Sequence, residues 1–468
     1  MSEAFAIVVD IGKTMSKVTL WSRAGRLLDR QVCANAVVEQ DGLRRLDVAG
    51  IGDWLVETLA RHAGQPIAYL IPVGHGAGVV GLRDGALAFA PLDYEQAIPE
   101  PVLAAYRRQR DPFAITGSPA LPDGLNLAAQ LDWLEARNPA TLDGATLLPW
   151  AQYWAWFLSG RAVSEVTSLG CHSDLWDPSR QGFAPMAERR RWAARFAPMA
   201  AAGDAIGPLR PELAARTGLP ATAKVLAGLH DSNAALLAAR GFAEIAKNEA
   251  TVLSTGTWFI ALRTPGRDPA EPLALADLPE ARDCLVNVDV HGRPVPSARF
   301  MGGREIETLI EFDTRRIDIK PDQPALLAAV PAVLATGAMM LPTLAPGCGP
   351  FPDARPRWIA EPDDPFERRA AASLYAALVA DVSLDLIGAH ECLLVEGRFA
   401  EAQVFVRALA ALRPGTTVYT ANAHNDVSFG ALRLVDPQLR PQGSLSRVAP
   451  LAGDLDAYRA RWRAAIAA

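Results

Sequence analysis

A carboxylate, a glycine, a hydroxyl and two cations lie close together near the start of the sequence. Asp10, Gly12, Thr14 and Lys17 follow an apolar run, and Lys13 lies among them. A glycine lets backbone N–H groups approach an anion, a threonine hydroxyl can donate to a phosphate oxygen, and a lysine can offset phosphate charge. Asp10 could hold Mg²⁺ through water. An ordinary hairpin turn needs only glycine and polar neighbours, so both interpretations stay open for this segment alone.

A second turn of the same kind opens the second half of the chain. Thr255, Gly256 and Thr257 follow one apolar strand and precede another. Two turns that combine hydroxyls with glycine, each at the start of a half, could face one another and hold the phosphates of a nucleotide. The presence of the pair therefore favours phosphate binding over two unrelated hairpins.

Asp231 lies where a short buried strand passes into a helix that we predict from residue 234. Such positions carry catalytic groups in α/β proteins, and a carboxylate there could take the proton of a substrate hydroxyl during phosphoryl transfer. Aspartate is also well suited to cap the first turn of a helix. On local grounds, capping is the favoured interpretation and catalysis is the alternative.

Three of the seven histidines, His75, His172 and His230, lie beside turns. Their spacing is not that of metal ligands, so the two interpretations are hydrogen bonds to a polyol and a structural role. Gln130 and Asn126 share one face of a predicted helix at i, i+4 spacing. We expect both to face solvent unless a pocket lies beside them.

The segment from Gly76 to Gly81 fits the G-x-G-x-x-G pattern of dinucleotide-binding folds. That site needs a helix whose N-terminus meets the pyrophosphate, whereas residues 82–87 are typical of a hairpin with an Asp-Gly turn. We therefore predict a hairpin here and no dinucleotide site.

The apolar periodicity predicts a mixed α/β fold in two halves. Three strands in a meander occupy residues 4–34, and a similar pattern restarts at residues 250–262. We predict two domains, 1–240 and 241–468. Further predicted elements are helices at 51–62, 126–136, 150–158, 366–388 and 400–412 and strands at 67–73, 224–228 and 390–396.

The composition excludes several classes of protein. The chain has 468 residues, 50% hydrophobic and 21% charged, and its net charge of −6 is scattered, so nucleic acid is not an expected partner. The apolar stretches are of strand length and the first acid comes early, so we expect no membrane association, no signal peptide and a cytoplasmic location. Five widely spaced cysteines indicate neither a disulfide framework nor a zinc site.

Taken together, these segments resemble the FGGY family of carbohydrate kinases from the first strand to about residue 435. The resemblance rests on residues 10–14, 230–233 and 254–258, with supporting matches at 74–78, 130–134, 158–161 and 167–171. It implies two actin-like domains of the ribonuclease-H-like fold with a cleft between them. The implied activity is Mg²⁺- and ATP-dependent transfer of the γ-phosphoryl group to a sugar hydroxyl.

The resemblance also implies a role for each candidate residue. Asp231 would be the general base in a sugar-binding first domain, Asp10 would hold Mg²⁺, and the second domain would bind the nucleotide. The implied sugar contacts are His75, Gly76, Gln130, His172, His230 and Asn233, and the implied nucleotide contacts are Asp10, Gly12, Lys13, Thr14, Lys17, Thr255, Gly256, Thr257, Gly397 and Arg398. The motifs are most similar to the branch with rhamnulokinases and fuculokinases, which implies a ketose or deoxyketose such as L-rhamnulose, L-fuculose or a xylulose-like sugar.

The sequence departs from the family pattern at three places. Glu396-Gly397-Arg398 stands where Gly-Gly-Gly is usual, so Arg398 either stacks on adenine or blocks it. Lys13 stands where threonine is common, and the usual Gly-Glu-Arg is not recognisable around residues 346–350. A non-catalytic sugar or nucleotide sensor on the same scaffold is therefore the alternative function, and an actin-like ATPase with a protein partner is a further one. A homodimer stays open.

Overall fold

The computed structural model describes residues 4–264, 266, 275–311, 313–314, 316–421 and 427–467 and divides the chain into two units. The first unit contains Met1–Gly241, Val286–Pro294 and Asn425–Gln442, and the second contains Phe242–Leu285, Val295–His424 and Gly443–Ala468. The sequence patterns gave no sign that two later segments join the first unit.

The first unit contains the strands and helices described up to residue 241 and one further helix late in the chain. Its strands are β1 Phe5–Ile11, β2 Met15–Ser22, β3 Leu27–Ala34, β4 Val37–Gln40, β5 Leu43–Leu46, β6 Ile67–Gly74, β7 Val79–Arg83, β8 Ala86–Phe89, β9 Thr146–Pro149, β10 Trp176–Asp177, β11 Gly182–Phe183, β12 Ala205–Pro208, β13 Lys224–Leu226 and β14 Leu229–His230. Its helices in this part are α1 Val48–Ala60, α2 Glu100–Arg107, α3 Phe113–Thr116, α4 Leu127–Arg137, α5 Trp150–Ser159, α6 Val166–Leu169, α7 Pro185–Arg189, α8 Pro211–Thr217 and α9 Asp231–Ala239.

The main sheet of the first unit has β1 near its centre. The strand order is β12-β13-β6-β1-β2-β3, with β14 also paired to β6; β1 runs antiparallel to β2 and parallel to β6. Successive side chains of a strand point to opposite faces. Ile7 and Val9 therefore pack on one face with α1, α5 and α8, while Ala6 and Val8 pack on the other with α9. Burial on both faces explains why β1 is a continuous apolar run.

A smaller sheet in the first unit contains the segment that fits the dinucleotide pattern. β7 and β8 form an antiparallel hairpin, and Asp84 and Gly85 at its turn have φ values of 52° and 74°. Two positive φ values are typical of a tight hairpin turn. The predicted hairpin is confirmed, and this segment lacks the helix that a dinucleotide site requires.

The second unit repeats the topology of the first. Its strands are β15 Ala250–Thr255, β16 Phe259–Thr264, β17 Cys284–Val288, β18 Pro294–Phe300, β19 Met339–Leu341, β20 Arg357–Ile359, β21 Cys392–Gly397, β22 Thr417–Ala421 and β23 Leu445–Arg447. Residues 286–288 of β17 and Pro294 of β18 belong to the segment that is assigned to the first unit. The remaining helices are α10 Gly302–Ile310, α11 Gln323–Thr336, α12 Pro365–Leu386, α13 Gln403–Leu412, α14 Val427–Leu432, which belongs to the first unit, and α15 Leu455–Ala467. In the order β17-β18-β16-β15-β21-β22-β23, β15 is antiparallel to β16 and parallel to β21, as β1 is to β2 and β6.

Two differences from the predicted helices affect residues of the candidate site. α9 begins at Asp231, three residues before the predicted start, so that Asp231 lies in its first turn. The predicted helix at 400–412 is instead a 3-10 turn, Arg398–Glu401, followed by α13 from Gln403. Within the described ranges, no helix has the length and apolar character needed to cross a membrane.

Candidate active site

The turn between β1 and β2 contains the first group of predicted phosphate contacts. The Gly12 N–H donates to the Met15 carbonyl at 3.0 Å, and a side-chain carbon on Gly12 would lie 2.9 Å from the same oxygen. The Asn35 amide donates to the Gly12 carbonyl at 2.8 Å. Thr14 is exposed. The turn therefore requires glycine and leaves the Thr14 side chain accessible to a ligand.

Asp10, at the end of β1, is buried and paired with a cation. Lys17 lies directly opposite on β2, and its ammonium is 2.7 Å from Asp10 Oδ2. Proteins usually hold Mg²⁺ through one or two carboxylates together with substrate phosphates. A single carboxylate beside the predicted phosphate turn fits that mode. Among the residues that the structure describes, no group of three or more His, Cys, Asp or Glu side chains could hold a metal without such a substrate.

Lys13 is paired with a loop that the sequence analysis did not single out. Its ammonium lies 3.0 Å from Asp93 Oδ1, contacts the Glu95 carboxylate and lies 4.6 Å from the centre of the Tyr94 ring. Arg44 is 2.5 Å from the second Asp93 oxygen. Burial raises the pKa of Asp93, but its hydrogen bonds and cations outweigh burial and hold that pKa below its ordinary value. The charge of Lys13 is thus largely balanced by carboxylates.

His75, Gly76, His230 and Asp231 come together where β6 and β14 end. β14 runs parallel to β6, with His230 opposite Gly74. A side-chain carbon on Gly76 would lie 2.9 Å from His230 Nε2, so glycine at this position makes room for the His230 ring. His230 Nε2 lies 3.3 Å from Asp231 Oδ1. The Asp231 side chain is 33% exposed, whereas the His230 side chain is 5% exposed, so the carboxylate is the accessible member of this pair.

Burial keeps the two histidines of this cluster neutral. It lowers the pKa of His75 from 6.5 to about 4 and also lowers the pKa of His230. His75 Nδ1 lies 2.6 Å from the Gly76 carbonyl, which can only accept, so Nδ1 carries the proton and Nε2 is an acceptor.

His75 Nε2 and His230 Nδ1 are buried, and neither has a hydrogen-bond partner within the described part of the chain. Buried polar atoms in folded proteins are usually paired. Two such atoms beside an accessible carboxylate are suited to the hydroxyl groups of a polyol.

The structure changes the local interpretation of Asp231. The residue that caps α9 is His230, and it makes no side-chain cap bond. Asp231 Oδ1 accepts hydrogen bonds from the backbone N–H of Ser232 at 2.6 Å and from its hydroxyl at 3.3 Å. The prediction that Asp231 caps α9 is therefore wrong, because the N-cap is the residue before it. The carboxylate lies in the first turn, where the helix dipole favours a negative charge.

Gln130 and Asn126 are buried, with 1% and 2% exposure, so the expectation that they face solvent is wrong. Their helix face lies under neighbouring loops whose backbone carbonyls need donors. Gln130 Nε2 donates to the carbonyls of Ala77 and Gly124 at 2.7 and 2.6 Å, and Asn126 Nδ2 donates to the His172 carbonyl at 3.1 Å. Gln130 thus holds the loop that follows His75 and Gly76.

The other predicted sugar contacts, His172 and Asn233, lie in different surroundings. His172 has a left-handed φ of 38°, and its Nδ1 is 2.7 Å from the Leu125 carbonyl. Asn233 is 2% exposed and follows Asp231 by two positions on α9, a spacing at which side chains do not face each other. The Asn233 side chain therefore does not lie on the same face of α9 as Asp231.

In the second unit, the Thr255 hydroxyl is occupied within the protein. It donates to the Glu396 carbonyl at 2.5 Å and accepts from the Phe399 N–H at 3.1 Å. The Gly256 N–H donates to the Trp258 carbonyl at 3.0 Å, which closes the turn. Of the predicted contacts in this turn, Gly256 and Thr257 are half-buried and Thr255 is buried. Thr255 therefore stabilises the turn from its buried side, through hydrogen bonds to the backbone of residues 396 and 399.

Gly397 and Arg398 adjoin that turn. Gly397 has a φ of 85°, and a side-chain carbon there would overlap the Thr255 carbonyl, so the position requires glycine. Arg398 Nη2 lies 3.3 Å from Glu307 Oε1, and the guanidinium lies 5.0 Å from the centre of the Phe399 ring. Arg398 was expected either to stack on adenine or to block it. Its guanidinium already contacts the Glu307 carboxylate and the Phe399 ring.

Several residues of these sites carried no signal in their own segments. Asn35, Asp93 and Tyr94 contact the Gly12 turn or Lys13 from distant positions in the sequence. Thr167 lay in a supporting match, but no pattern indicated that its hydroxyl accepts a hydrogen bond from the His230 N–H at 2.9 Å. Only the folded chain brings these residues together.

The chain is similar to known proteins, in some comparisons over its whole length and in others over a part of it. Residues 247–442 match the family model described as Carbohydrate kinase FGGY, C-terminal domain. The crystal structure of a carbohydrate kinase from Novosphingobium aromaticivorans is 68% identical, with a TM-score of 0.96, and the match covers 100% of this chain and 99% of that chain. A xylulose kinase from Rhodospirillum rubrum is 18% identical with a TM-score of 0.80, covering 99% and 98%. An L-fuculokinase from Salmonella typhi is 30% identical over 151 residues, which are 30% of this chain and only 29% of that relative.

The likenesses to the two solved structures extend over both units, and the repeated sheet topology agrees with them. The predicted fold, a mixed α/β chain with two actin-like domains, is confirmed.

Proposed function

The chain belongs to the FGGY family of carbohydrate kinases, and from that premise we propose that it transfers the γ-phosphoryl group of ATP to a hydroxyl of a ketose or deoxyketose, with Asp231 as general base. That it is a sugar kinase follows from the family. The sugar class, the base and the nucleotide contacts are our proposal.

The cluster of His75, Gly76, His230 and Asp231 carries the proposal. Two buried neutral acceptors, His75 Nε2 and His230 Nδ1, would accept hydrogen bonds from sugar hydroxyls. The accessible Asp231 carboxylate would orient the reacting hydroxyl and take its proton as the sugar oxygen forms a bond to the γ-phosphorus. The bond from that phosphorus to the bridging oxygen breaks at the same centre, and ADP leaves.

Each unit contributes its own proposed nucleotide contacts. In the first unit, the backbone of Gly12 and the exposed Thr14 would contact phosphate oxygens, and Asp10 would hold Mg²⁺, which neutralises phosphate charge when bound. Lys13 and Lys17 each already have carboxylate partners, so we assign them to shaping this turn and balancing its charge.

In the second unit, we assign nucleotide contacts to Gly256, Thr257 and the segment Gly397-Arg398. Thr255 would act there through its hydrogen bonds to residues 396 and 399.

The sugar class rests on the motifs at residues 230–233 and 254–258 and on the partial match to an L-fuculokinase. The neutral histidines support a neutral, hydroxyl-rich substrate, because a charged sugar would meet no cationic histidine at this cluster.

The test is a coupled ADP-release assay with Mg-ATP and a panel of ketoses, deoxyketoses, aldoses and polyols. Wild type is compared with Asp231→Asn and with Asp53→Asn, an exposed acid on α1 of the same unit. We expect one ketose or deoxyketose to stimulate ADP release, and we expect Asp231→Asn to lower kcat by about 10²- to 10⁴-fold, the usual contribution of a general base. Calorimetry should show ATP binding unchanged in both variants.

Turnover of Asp231→Asn within about threefold of wild type would remove Asp231 as the base, since that is far below the range for general-base catalysis. ATP binding without ADP release on any sugar would favour the alternative function, a sugar or nucleotide sensor.

A further inference from the structure

We propose that Thr167, oriented by Glu165, is a positioning residue that fixes the start of α9 and thereby the place of the Asp231 carboxylate. This inference rests on the proposed role of Asp231 as general base. It is carried by a continuous series of hydrogen bonds from Glu165 to the residue before Asp231.

The series begins at a buried carboxyl group. Glu165 has 0% exposure and caps α6. Its Oε2 accepts hydrogen bonds from the Thr167 hydroxyl at 2.6 Å, the Thr167 N–H at 3.0 Å and the Ser168 N–H at 3.2 Å. The Ser168 hydroxyl also donates to this oxygen at 3.5 Å, and the four donors together fix the Thr167 side chain with respect to its own turn.

The direction of each hydrogen bond follows from the groups involved. A threonine hydroxyl has a single proton, and the short bond to Glu165 uses it. The backbone N–H of His230 can only donate, and it lies 2.9 Å from Thr167 Oγ1. The hydroxyl thus donates to Glu165 and accepts from His230, so its only proton is not free for a substrate.

This bond acts at a junction that has few other restraints. β14 has only two residues, Leu229 and His230, which pair with the end of β6. The next residue is Asp231, and the cap position of α9 makes no side-chain cap bond. The Thr167 hydroxyl therefore anchors the backbone one residue before the proposed base. A displacement of about 1 Å at a reacting group can cost on the order of 10²-fold in rate.

The hydrogen bond between Glu165 and Thr167 does not require Glu165 to be ionised. Burial raises its pKa to about 7, and Oε1 has no hydrogen-bond partner within the described ranges. A proton on Oε1 would leave Oε2 as the acceptor, so the link to Thr167 is compatible with both states of the carboxyl group.

Two substitutions at one site test the proposal. Thr167→Val keeps the shape and removes the hydroxyl, whereas Thr167→Ser keeps the hydroxyl and removes the methyl group. We expect Thr167→Val to lower kcat by about 10- to 100-fold with the KM for ATP within about twofold, and Thr167→Ser to recover kcat to within about threefold of wild type. Equal kcat values for the two variants would overturn the proposal, whether both are high or both are low. If Thr167→Val does not fold, Thr167→Ala replaces it in the same comparison.

A double-variant cycle with Asp231→Asn separates positioning from a general loss of structure. If Thr167 acts through Asp231, Asp231→Asn/Thr167→Val should turn over no more slowly than Asp231→Asn alone. Multiplicative losses would show that Thr167 acts independently and would overturn the inference.

The same cycle distinguishes failure of this inference from failure of the proposed function. An active Asp231→Asn would refute the base itself and with it this inference. An inactive Asp231→Asn together with a fully active Thr167→Val would refute only the role of Thr167.

Discussion

The buried, neutral state of His75 predicts a specific pH dependence of stability. Its pKa is about 4 in the folded chain and 6.5 in its ordinary state. Because the folded chain holds the ring neutral, the unfolded chain binds more protons between these values. Stability from this group is therefore complete above pH 6.5 and is lost as the pH falls towards 4.

The size of the effect follows from the two pKa values. Their difference corresponds to about 3 kcal/mol, of which about 2 kcal/mol is lost between pH 8 and pH 5. His75→Gln removes the titrating ring and should therefore weaken the pH dependence of the unfolding free energy by about 2 kcal/mol over that interval. The lowered pKa of His62, which lies beside Asp29 and outside this cluster, affects wild type and variant alike.

Denaturant unfolding followed by tryptophan fluorescence measures this difference. Eight of the eleven tryptophans belong to the first unit, and the Trp150 ring centre is 6.0 Å from that of His75. The unfolding free energies of wild type and His75→Gln are compared at pH 8 and pH 5. If the two proteins lose the same free energy to within about 0.5 kcal/mol, well under the loss expected for this group, His75 is not held neutral by burial and the argument for a buried acceptor fails.

Two further substitutions test the glycine and hydroxyl positions. Gly76→Ala should lower the unfolding free energy by about 1–3 kcal/mol, because the added methyl group must displace the His230 ring. It should also raise the KM for sugar and leave the KM for ATP unchanged. An unchanged KM for sugar would contradict the proposed pocket. Thr255→Val should destabilise the second unit by about 1–3 kcal/mol in thermal unfolding, because it removes the partner of the buried Phe399 N–H, and Thr255→Ser should restore most of that loss. A stability of Thr255→Val equal to that of wild type would show that the hydrogen bond is dispensable.

The elements that could be predicted from the sequence are those set by local chemistry. The β1–β2–β3 meander follows from apolar runs separated by glycine turns, and the β7–β8 hairpin follows from Asp84-Gly85. The long helix predicted at 366–388 is α12, Pro365–Leu386. In each of these cases, neighbouring residues decide the conformation.

The remaining features depend on contacts between distant parts of the chain. The predicted helix at 400–412 is broken because the Thr255 hydroxyl accepts from Phe399 and Gly397 has a positive φ, which fixes the first residues as a 3-10 turn. The spacing of Gln130 and Asn126 showed that they share a face, but not that loops cover that face. Similarly, no local pattern could pair Lys13 with a carboxylate 80 positions later.

The late segment that completes the first unit has a consequence for the order of events during synthesis. A side-chain carbon on Gly430 of α14 would overlap the Ala234 carbonyl of α9, and the Phe429 ring centre lies 6.0 Å from that of Trp21. The segment containing α14 ends at Gln442, about 200 residues after Gly241, and a ribosome adding about 5–20 residues per second takes on the order of 10–40 s to cover that distance. During that time the apolar residues of α9 and β1 that pack against α14 in the folded chain have no partner to bury them. A chain truncated after residue 241 would therefore contain an incomplete first unit. The nascent chain likewise has an exposed apolar surface until residues 425–442 have been made.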